Sequence, residues 1–326
     1  MRKVIIDTDT GSDDAVAIIM CLRDPSVDVI ALTTVSGNVP LKQATLNCLM
    51  SAEIALGKDN CPPVYMGADR PLYRETVHAR NVHGNDGMSD LGLIHPSIKP
   101  VEGVHAADAI IDLVKKYPDE IEIACIGPVT NVALAMMKEP EVMKHVKCIW
   151  VMGTCGFGLG NTTPISEFNV YADAEAYKVM MDFGVHVNVG GYDLCTKEAA
   201  WFDEDTKELL DSNKEAAVFA VKSNEMLAKF CYAIGGIRRI DLPDAVSLAP
   251  MLWPDVVKKS SECKSFVCTD HNETYGQVIF YDGRTLTVMG PGFDNDYYGK
   301  KEPNCTVIYE IDNDLYKKRL AKLLMQ

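Results

Sequence analysis

The chain has 326 residues, of which 47% are hydrophobic, 24% charged and 8% aromatic. This composition excludes intrinsic disorder, collagen-like repeats and a coiled coil, and a chain of this length can bury a large core. Lysine and arginine number 32 against 46 aspartate and glutamate residues, so the formal net charge is -14. Because an acidic chain repels polyanions, we expect no nucleic acid partner and no binding to an anionic membrane.

The sequence also indicates a compartment. No segment is apolar for long enough to predict a transmembrane helix, and the N-terminus MRKVIIDTDTGSDD lacks the long apolar region of a signal peptide. The 11 cysteines are scattered and form no CxxC pair, so we expect them to be reduced and mostly buried. Together these features predict a cytoplasmic protein.

Short apolar runs alternate with amphipathic segments along the first part of the chain. The apolar runs predict strands over residues 4–6, 29–35, 121–126, 149–152 and 185–189. The amphipathic segments predict helices over residues 12–22, 41–56, 131–137 and 173–183. Ser12 and Asp13 are expected to cap the first of these helices. The alternation predicts an α/β fold with an open, mostly parallel, Rossmann-like sheet and helices on both faces.

After about residue 200 the pattern changes. Helices are predicted over residues 204–210 and 216–232, and a further helix begins near Asp244. Residues 265–310 have the pattern of strands joined by turns such as Asp282-Gly283. The sequence therefore predicts a helical elaboration and a small C-terminal antiparallel addition. Because it contains no internal repeat and no convincing linker, we expect a single domain over residues 1–326.

An acidic segment follows the first predicted strand, and ligands of open parallel sheets bind beyond the carboxyl ends of the strands. Residues 7–14 read Asp-Thr-Asp-Thr-Gly-Ser-Asp-Asp, with four carboxylates in eight residues. A bound cation relieves the mutual repulsion of such a cluster, and oxygen ligands favour Ca²⁺ or Mg²⁺ over zinc. The alternative is that Asp13 caps the helix and the other carboxylates are solvated.

Three further polar segments follow predicted strands. Residues 36–38 (Ser-Gly-Asn) and 125–131 (Cys-Ile-Gly-Pro-Val-Thr-Asn) are each explained by turn formation or helix capping. The loop over residues 160–169 carries two asparagines, a glutamate and a phenylalanine. Amide and carboxylate groups can bind vicinal hydroxyls while an aromatic ring covers an apolar face. This loop therefore favours sugar recognition, with a solvated surface loop as the alternative.

Taken together, the four segments resemble the inosine-uridine preferring nucleoside hydrolase family. Residues 7–14 are similar to the Asp-rich fingerprint of that family, in which a proline usually stands where Thr10 is here. Ser-Gly-Asn at 36–38, Gly-Pro-Val-Thr-Asn at 127–131 and the Asn161…Glu167-Phe168-Asn169 pattern match in order and spacing. The resemblance covers at least residues 3–253. It implies hydrolysis of the N-glycosidic bond of purine or pyrimidine ribonucleosides to ribose and free base.

The resemblance also implies roles for individual residues. A catalytic Ca²⁺ would be held by Asp9, Asp14, Asp244 and the main-chain carbonyl of Ile126. Asp9 would be the general base that takes a proton from the metal-bound water. Positions that match ribose-binding or sugar-proximal residues of the family are Asp13, Asn38, Met152, Asn161, Glu167 and Asn169. His83 is followed by Gly84, as in a His-Gly pair of the family's mobile loop. Because members of the family form dimers or tetramers, the resemblance also implies a homodimer or homotetramer.

The sequence departs from the family at the leaving base. Many relatives carry a histidine, assigned as the general acid, directly before the late metal-binding aspartate, and here that position is Pro243. His83 is one replacement, as an acid or as a ribose contact. Stacking on an aromatic ring is another, for which the candidates are Phe168, Tyr232 and one of Trp150, Trp201 or Trp253. Side chains that could donate to the base are Arg238 and Arg239.

Two other functions remain as alternatives. Pro243 motivates a catalytically impaired nucleoside- or ribose-binding protein of the same fold. A phosphatase of the haloacid dehalogenase type also begins with a strand and Asp-x-Asp, but it requires threonine or valine where this chain has Gly11. The paired Asp13 and Asp14 are also unexplained by a phosphatase, so we consider it the weaker alternative.

Overall fold

A computed structural model describes residues 1–195, 197–282 and 302–326. Within these residues, nine strands form one sheet in the order β3-β2-β1-β4-β5-β6-β9-β7-β8. The strands are β1 (Arg2–Thr8), β2 (Val27–Thr34), β3 (Val64–Met66), β4 (Ile121–Cys125), β5 (Cys148–Met152), β6 (Val187–Gly190), β7 (Val257–Val267), β8 (Val278–Tyr281) and β9 (Cys305–Ile311). Strands β1 to β6 pair in parallel, and β9 pairs in parallel with β6. The predicted α/β fold with a mostly parallel sheet is confirmed.

Helices cover both faces of this sheet. Those in the first half of the described chain are α1 (Ser12–Arg23), α2 (Leu41–Leu56), α3 (Arg80–His83), α4 (Ala106–Lys116), α5 (Thr130–Lys138), α6 (Pro140–Met143) and α7 (Phe168–Ala172). Those in the second half are α8 (Ala174–Asp182), α9 (Tyr192–Cys195), α10 (Asp203–Asp211), α11 (Glu215–Ser223), α12 (Glu225–Gly235), α13 (Pro243–Leu252) and α14 (Asn313–Leu324). None of the described helices has the length and hydropathy of a transmembrane segment.

The central strand β1 shows why these residues form a buried parallel sheet. Val4 and Ile6 belong to the hydrophobic core on one face, and Ile5 belongs to the core on the other face. All three side chains are fully buried. Because both faces of a parallel sheet are covered by helices, its strands have continuous apolar runs instead of an alternating pattern. This arrangement leaves the strand ends, where Asp7 begins the acidic segment, as the place for polar groups.

In the second half of the chain, one predicted helix is divided into two. The segment predicted as one helix over residues 216–232 forms α11 and α12, which are separated at Asn224. The side-chain amide of Asn224 donates to the carbonyl oxygens of Ala220 and Ser12, both at 2.9 Å. An asparagine that bonds to the backbone in this way competes with helix continuation. Helix α12 therefore starts anew at Glu225.

The C-terminal addition is only partly antiparallel. Strand β7 pairs antiparallel with both β8 and β9, as predicted, but it begins at Val257. Strand β9 lies between β6 and β7 and continues the parallel sheet, and α14 follows it. Of the predicted turn Asp282-Gly283, Gly283 lies outside the described residues, as do residues 284–301 of the predicted strand region.

Candidate active site

A cavity of about 370 Å³ opens beyond the carboxyl ends of β1, β2, β4 and β5. The residues that line it at these strand ends are Asp13, Asn38 and Ile126, which follow β1, β2 and β4, and Met152, which ends β5. The loop before α7 contributes Asn161, Glu167, Phe168 and Asn169. This volume lies within the range of small-molecule sites, roughly 300–1,000 Å³. The structure therefore brings together, around one cavity, residues from all the polar segments that the sequence singled out.

The acidic segment forms a tight turn between β1 and α1. The predicted cap of α1 is wrong, because Gly11 is the N-cap and Ser12 and Asp13 lie in the first turn. Asp14 fixes the turn, since its carboxylate accepts the Thr8 hydroxyl at 2.6 Å and the Gly11 N–H at 2.8 Å. An aspartate in the first turn is also favoured by the helix dipole. The turn buries Asp14 completely and exposes only 5% of Asp13 to solvent.

Asn38 and Gly37 hold Asp9 from the neighbouring strand end. The Asn38 N–H donates to Asp9 Oδ2 at 2.5 Å, and the Asn38 side-chain amide donates to Asp14 Oδ2 at 3.1 Å. A Cβ at Gly37 would lie 2.0 Å from Asp9 Oδ2, so this close approach requires a glycine. Asn38 is therefore part of the carboxylate site as well as a turn residue.

Several buried carboxylates lie close together beyond the carboxyl end of β1, and of these Asp13 and Asp244 line the cavity. Ligand atoms of Asp13, Asp14 and Asp244 lie within 4.8 Å of one another. Asp9 Oδ1, Asp13 Oδ1 and Asp244 Oδ2 have no hydrogen-bond partner among the described residues. Burial first, and then the neighbouring carboxylates, raises the pKa of Asp14 and Asp244 well above the ordinary value. Burial, opposed by the Asn38 N–H, raises the pKa of Asp9 to about 7.

This arrangement fits a divalent cation. Oxygen atoms that are buried without a partner cost free energy, and a hard cation coordinated by several of them offsets that cost. The structure groups Asp13 with Asp14 and Asp244, whereas the resemblance implied Asp9, Asp14 and Asp244. Asp9 lies close enough for its charge to raise the pKa of Asp14. The described structure therefore places Asp13, and not Asp9, within common reach of an ion held by Asp14 and Asp244.

Another part of the cavity wall is built by the start of α7. Glu167 is the N-cap, and its carboxylate accepts the N–H groups of Asn169 at 2.9 Å and Val170 at 3.2 Å. Burial, opposed by these backbone hydrogen bonds, raises the pKa of Glu167 to about 7. The Asn169 amide reaches the carbonyl oxygens of Met152 at 3.3 Å and Ile126 at 3.4 Å. These contacts bring the glutamate and amide groups of α7 to the ends of β4 and β5.

His83 lies at the edge of the carboxylate group. Its Nδ1 is 2.9 Å from Ser12 Oγ and 3.7 Å from Asp13 Oδ1, and the residue is 6% exposed. Burial lowers the pKa of the imidazole, and Asp13 opposes that shift. His78 Nδ1 lies 2.7 Å from the Gly37 carbonyl oxygen. Both histidines line the cavity, and His83 was one of the candidates from the sequence.

Most of the aromatic residues that the sequence suggested for stacking on the leaving base do not line the cavity. Tyr232 is 59% exposed and is not among the described residues that line the cavity. Trp150 donates to Glu122, Trp253 donates to Asp24, and Trp201 is buried in the core. Described aromatic residues that do line the cavity are Phe168, Tyr171, Tyr192 and Phe230. Of the sequence candidates only Phe168 is in place.

The two arginine candidates are also occupied elsewhere. Arg238 donates to Asp203 at 2.9 Å and to Glu225 at 2.8 Å, outside the cavity. Arg239 donates to Asp241, and Asp241 itself lines the cavity together with Pro243. Sequence reasoning missed Asp241 because no motif marks it.

Asn131 does not cap α5, as the sequence interpretation suggested. The N-cap of α5 is Val129, and the Asn131 amide donates to Asp7 Oδ1 at 2.8 Å and to the Thr34 carbonyl at 3.0 Å. Its side-chain oxygen accepts the Ala68 N–H at 2.8 Å. The Gly-Pro-Val-Thr-Asn segment thus joins the ends of β1 and β2 instead of capping a helix.

Fold and site together define a class of α/β protein in which buried carboxylates and a loop with amide and glutamate groups lie around one cavity, beyond the carboxyl ends of parallel strands. The sequence profile of the inosine-uridine preferring nucleoside hydrolases matches residues 4–318. This chain belongs to that family, and membership supports a hydrolase that acts on ribonucleosides.

Named relatives support the assignment. A probable uridine nucleosidase 1 of Oryza sativa subsp. japonica is 37% identical over 78% of this chain and 77% of its own length. The pyrimidine-specific ribonucleoside hydrolase RihB of Escherichia coli is 30% identical over 91% of this chain and 94% of its own length. The solved structure of a plant nucleoside hydrolase, the PpNRh1 enzyme, superposes with a TM-score of 0.88 at 30% identity over 99% of both chains.

Proposed function

We propose that this protein hydrolyses the N-glycosidic bond of ribonucleosides with the help of a bound Ca²⁺. The observation that carries the proposal is a group of buried carboxylate oxygens without partners, of which those of Asp13 and Asp244 belong to residues that line one cavity together with Asn161, Glu167 and Asn169. One side of this cavity suits a hard cation, and the other suits a polyhydroxylated sugar. Both requirements of nucleoside hydrolysis are supported by side chains around a single cavity.

The proposed cation ligands are Asp9, Asp14, Asp244 and the carbonyl oxygen of Ile126. Asp13 is an additional candidate, because its ligand atom lies within 4.8 Å of those of Asp14 and Asp244. When bound, Ca²⁺ supplies positive charge that lowers the pKa of water and orients it. Asp9 is the proposed general base, because its Oδ1 is buried and has no hydrogen-bond partner among the described residues.

The ribose is held by the side chains that face the carboxylate group. The proposed hydroxyl ligands are Asp13, Asn38, Asn161, Glu167 and Asn169, and Met152 lies near the sugar. Cleavage of an N-ribosidic bond builds positive charge on the ribose, as in glycoside hydrolysis. Carboxylates and amide oxygens around the sugar stabilise that charge, and hydrogen bonds to the hydroxyls orient the anomeric carbon toward the attacking water.

The leaving base meets a different set of side chains. Phe168 is the proposed stacking partner, because it is the one aromatic candidate from the sequence that lines the cavity. His83 is the proposed donor to the ribose or the base from the opposite side, at the edge formed by Ser12 and Asp13. Pro243, which lines the cavity, has no proton to give.

The proposal also covers the oligomeric state and the cellular location. We propose a homodimer or homotetramer, as the family resemblance implies, and light scattering of the purified protein tests this directly. We propose a cytoplasmic location because the cysteines are scattered along the sequence without a CxxC pair and most of them are buried, which suits a reducing compartment. Fractionation of the source cells tests the location.

The function is tested by incubating the protein with ribonucleosides and measuring free ribose. Uridine comes first, because the two named relatives carry uridine or pyrimidine ribonucleosides in their names; cytidine, inosine, adenosine and guanosine complete the panel. We expect ribose release that EDTA abolishes and Ca²⁺ restores. Binding of a ribonucleoside without any ribose release would support the catalytically impaired alternative that Pro243 motivates.

A further inference from the structure

The part of the cavity wall formed by α12 and Tyr192 has a composition different from that of the part formed by Asn161, Glu167 and Asn169. Helix α12 contributes Leu227, Phe230, Cys231 and Ile234, and Tyr192 follows β6. These side chains are apolar or aromatic, with only a thiol and a phenol hydroxyl as polar groups. Asp241 also lines the cavity, contacts this part of the wall through the Cys231 thiol and is 4% exposed.

The charge of Asp241 is matched on the side away from the cavity. Arg239 Nε donates to Asp241 Oδ1 at 2.9 Å, and Arg239 Nη2 donates to Oδ2 at 3.2 Å. The Cys231 thiol donates to Oδ2 at 3.6 Å. Arg239 is not among the described residues that line the cavity, so the carboxylate and not the guanidinium faces the ligand.

Asp241 still has acceptor capacity. An ionised carboxylate offers about four acceptor positions on its two oxygens, and the contacts above occupy three of them. The remaining position lies on Oδ1. Because a carboxylate can only accept a hydrogen bond, a ligand group that meets Asp241 must donate one. A phosphate or another anion at this place would be repelled.

We propose that Asp241 selects nucleobases that present an N–H donor on the edge facing α12. This inference rests on the proposed function, since it assigns the base to the end of the cavity opposite the ribose ligands. The imide N–H of uracil, the lactam N–H of hypoxanthine and the amino groups of cytosine and adenine meet the requirement. A base whose edge carries only acceptor nitrogens places a lone pair against the carboxylate.

The size of the selection follows from the chemistry of the contact. Hydrogen bonds to a charged group contribute about 1.5–3 kcal/mol, which corresponds to roughly a 10–100-fold change in binding or in kcat/KM. A site built to bind a donor also rejects an analogue that lacks it, because its own polar group is then left unpaired. Arg239 holds Asp241 in place, so the acceptor cannot turn away from a mismatched base.

The test compares a donor-bearing nucleoside with a donorless one of no greater size. The pairs are uridine with the riboside of pyrimidin-2-one, and inosine with purine riboside. Both kcat/KM and the dissociation constant are measured, so that the selection is read even where hydrolysis is slow. We expect wild-type protein to favour uridine and inosine by about 10–100-fold.

Two variants of Asp241 separate this contact from the intrinsic reactivity of each base. In Asp241→Asn, Arg239 requires the amide oxygen, so the amide N–H₂ turns to the cavity and the preference for donor-bearing bases should vanish or reverse. In Asp241→Ala, the preference should fall to the intrinsic ratio of the two substrates. The matched control is Asp255→Asn, because Asp255 pairs with Arg319 at 2.6 and 2.7 Å in an exposed ion pair of the same type.

The outcomes distinguish the inference from the function on which it rests. If no ribonucleoside releases ribose, the proposed hydrolysis fails, and the dissociation constants still report the selection. If wild-type protein treats both members of each pair alike, or if the wild-type ratio survives in both Asp241 variants, the selection by Asp241 is overturned. A ratio that is retained in Asp255→Asn and lost in Asp241→Asn supports it.

Discussion

A single buried carboxylate near the amino ends of the strands and a group of buried carboxylates at their carboxyl ends differ in how their negative charge is balanced. Near the amino end, Glu122 of β4 accepts hydrogen bonds from Arg2, Lys147 and the Trp150 indole. These partners, opposed by burial, lower the pKa of Glu122 to about 2. At the carboxyl end, the carboxylates around Asp244 repel one another, and no lysine or arginine of the described chain lines their cavity.

The difference shows which end is built for stability and which for function. A buried carboxylate with three donors contributes to the folded state, whereas buried carboxylates with unpaired oxygens oppose folding until a ligand binds them. Local arrangements that are costly without a ligand are concentrated at functional sites. The comparison therefore predicts opposite responses when a charge is removed from each end.

The largest effect is expected for Asp244→Asn. We expect kcat/KM for the best ribonucleoside to fall by roughly 10³-fold, because a proposed ligand of the cation is lost. Without Ca²⁺, the free energy of unfolding should stay the same or rise by about 1 kcal/mol, because one charge of a repelling buried group is removed. Steady-state kinetics and urea denaturation in EDTA measure the two quantities. A variant that lost both activity and stability would contradict the assignment of this end to function.

His83→Ala should have the next largest effect. If His83 donates to the ribose or the base, kcat should fall by about 10²-fold or more. His83→Gln, which retains a donor, should recover part of the loss if the role is a ribose contact and none of it if the role is acid catalysis. An unchanged kcat in both variants would leave stacking by Phe168 as the account of how the base departs.

Glu122→Gln tests the amino end. We expect the free energy of unfolding to fall by about 2 kcal/mol, because the charge that matches Arg2 and Lys147 is removed from a buried position. The kcat of the folded enzyme should not change, since Glu122 lies at the other end of the sheet. Urea denaturation and kinetics at saturating substrate measure both. A comparable fall in kcat would show that the two ends are not independent.

The smallest expected effect is the pH dependence of the stability that Glu122 contributes through its contacts with Arg2 and Lys147. The pKa of Glu122 is lowered from 4.5 to about 2, so the folded state binds fewer protons than the unfolded chain in this range. The stability that Glu122 contributes is therefore fully present above pH 4.5 and is lost as the pH falls toward 2. The groups that face it are Arg2, Lys147 and Cys148. The difference in unfolding free energy between wild type and Glu122→Gln should shrink over this range.

Sequence patterns predicted the elements whose apolar periodicity is local and strong. Helix α2 was predicted with its observed bounds, and β1 and α1 differ from their predictions only at the ends. The position of β9 between β6 and β7 could not be predicted, because pairing of strands distant in sequence leaves no local pattern. The break at Asn224 depends on a contact with Ser12, which is equally non-local.

The same distinction applies to the site. Asp9 and Asn38 could be predicted because they belong to motifs close after strands, and Glu167 because it lies in the polar loop between β5 and α7. Tyr232 was chosen from the sequence, but Phe230 lines the cavity. The two residues are two positions apart on α12, which corresponds to roughly 200° of rotation about the helix axis, so they lie on nearly opposite faces. The face of α12 that meets the cavity is set by the break before Glu225 and by its packing, so only the structure could identify Phe230 and Asp241.

The most direct test of the central claim is calcium binding followed by thermal unfolding. Wild type, Asp244→Asn and Glu122→Gln are each titrated with CaCl₂ after removal of metal with EDTA. Binding to the native state alone stabilises a protein by about 2.7 kcal/mol at a hundredfold excess over Kd. We predict that the Tm of wild type and Glu122→Gln rises with Ca²⁺ by equal amounts and that the Tm of Asp244→Asn does not respond. An equal rise in all three proteins, or none in wild type, would contradict the claim that the carboxylates at this end of the sheet are completed by a cation.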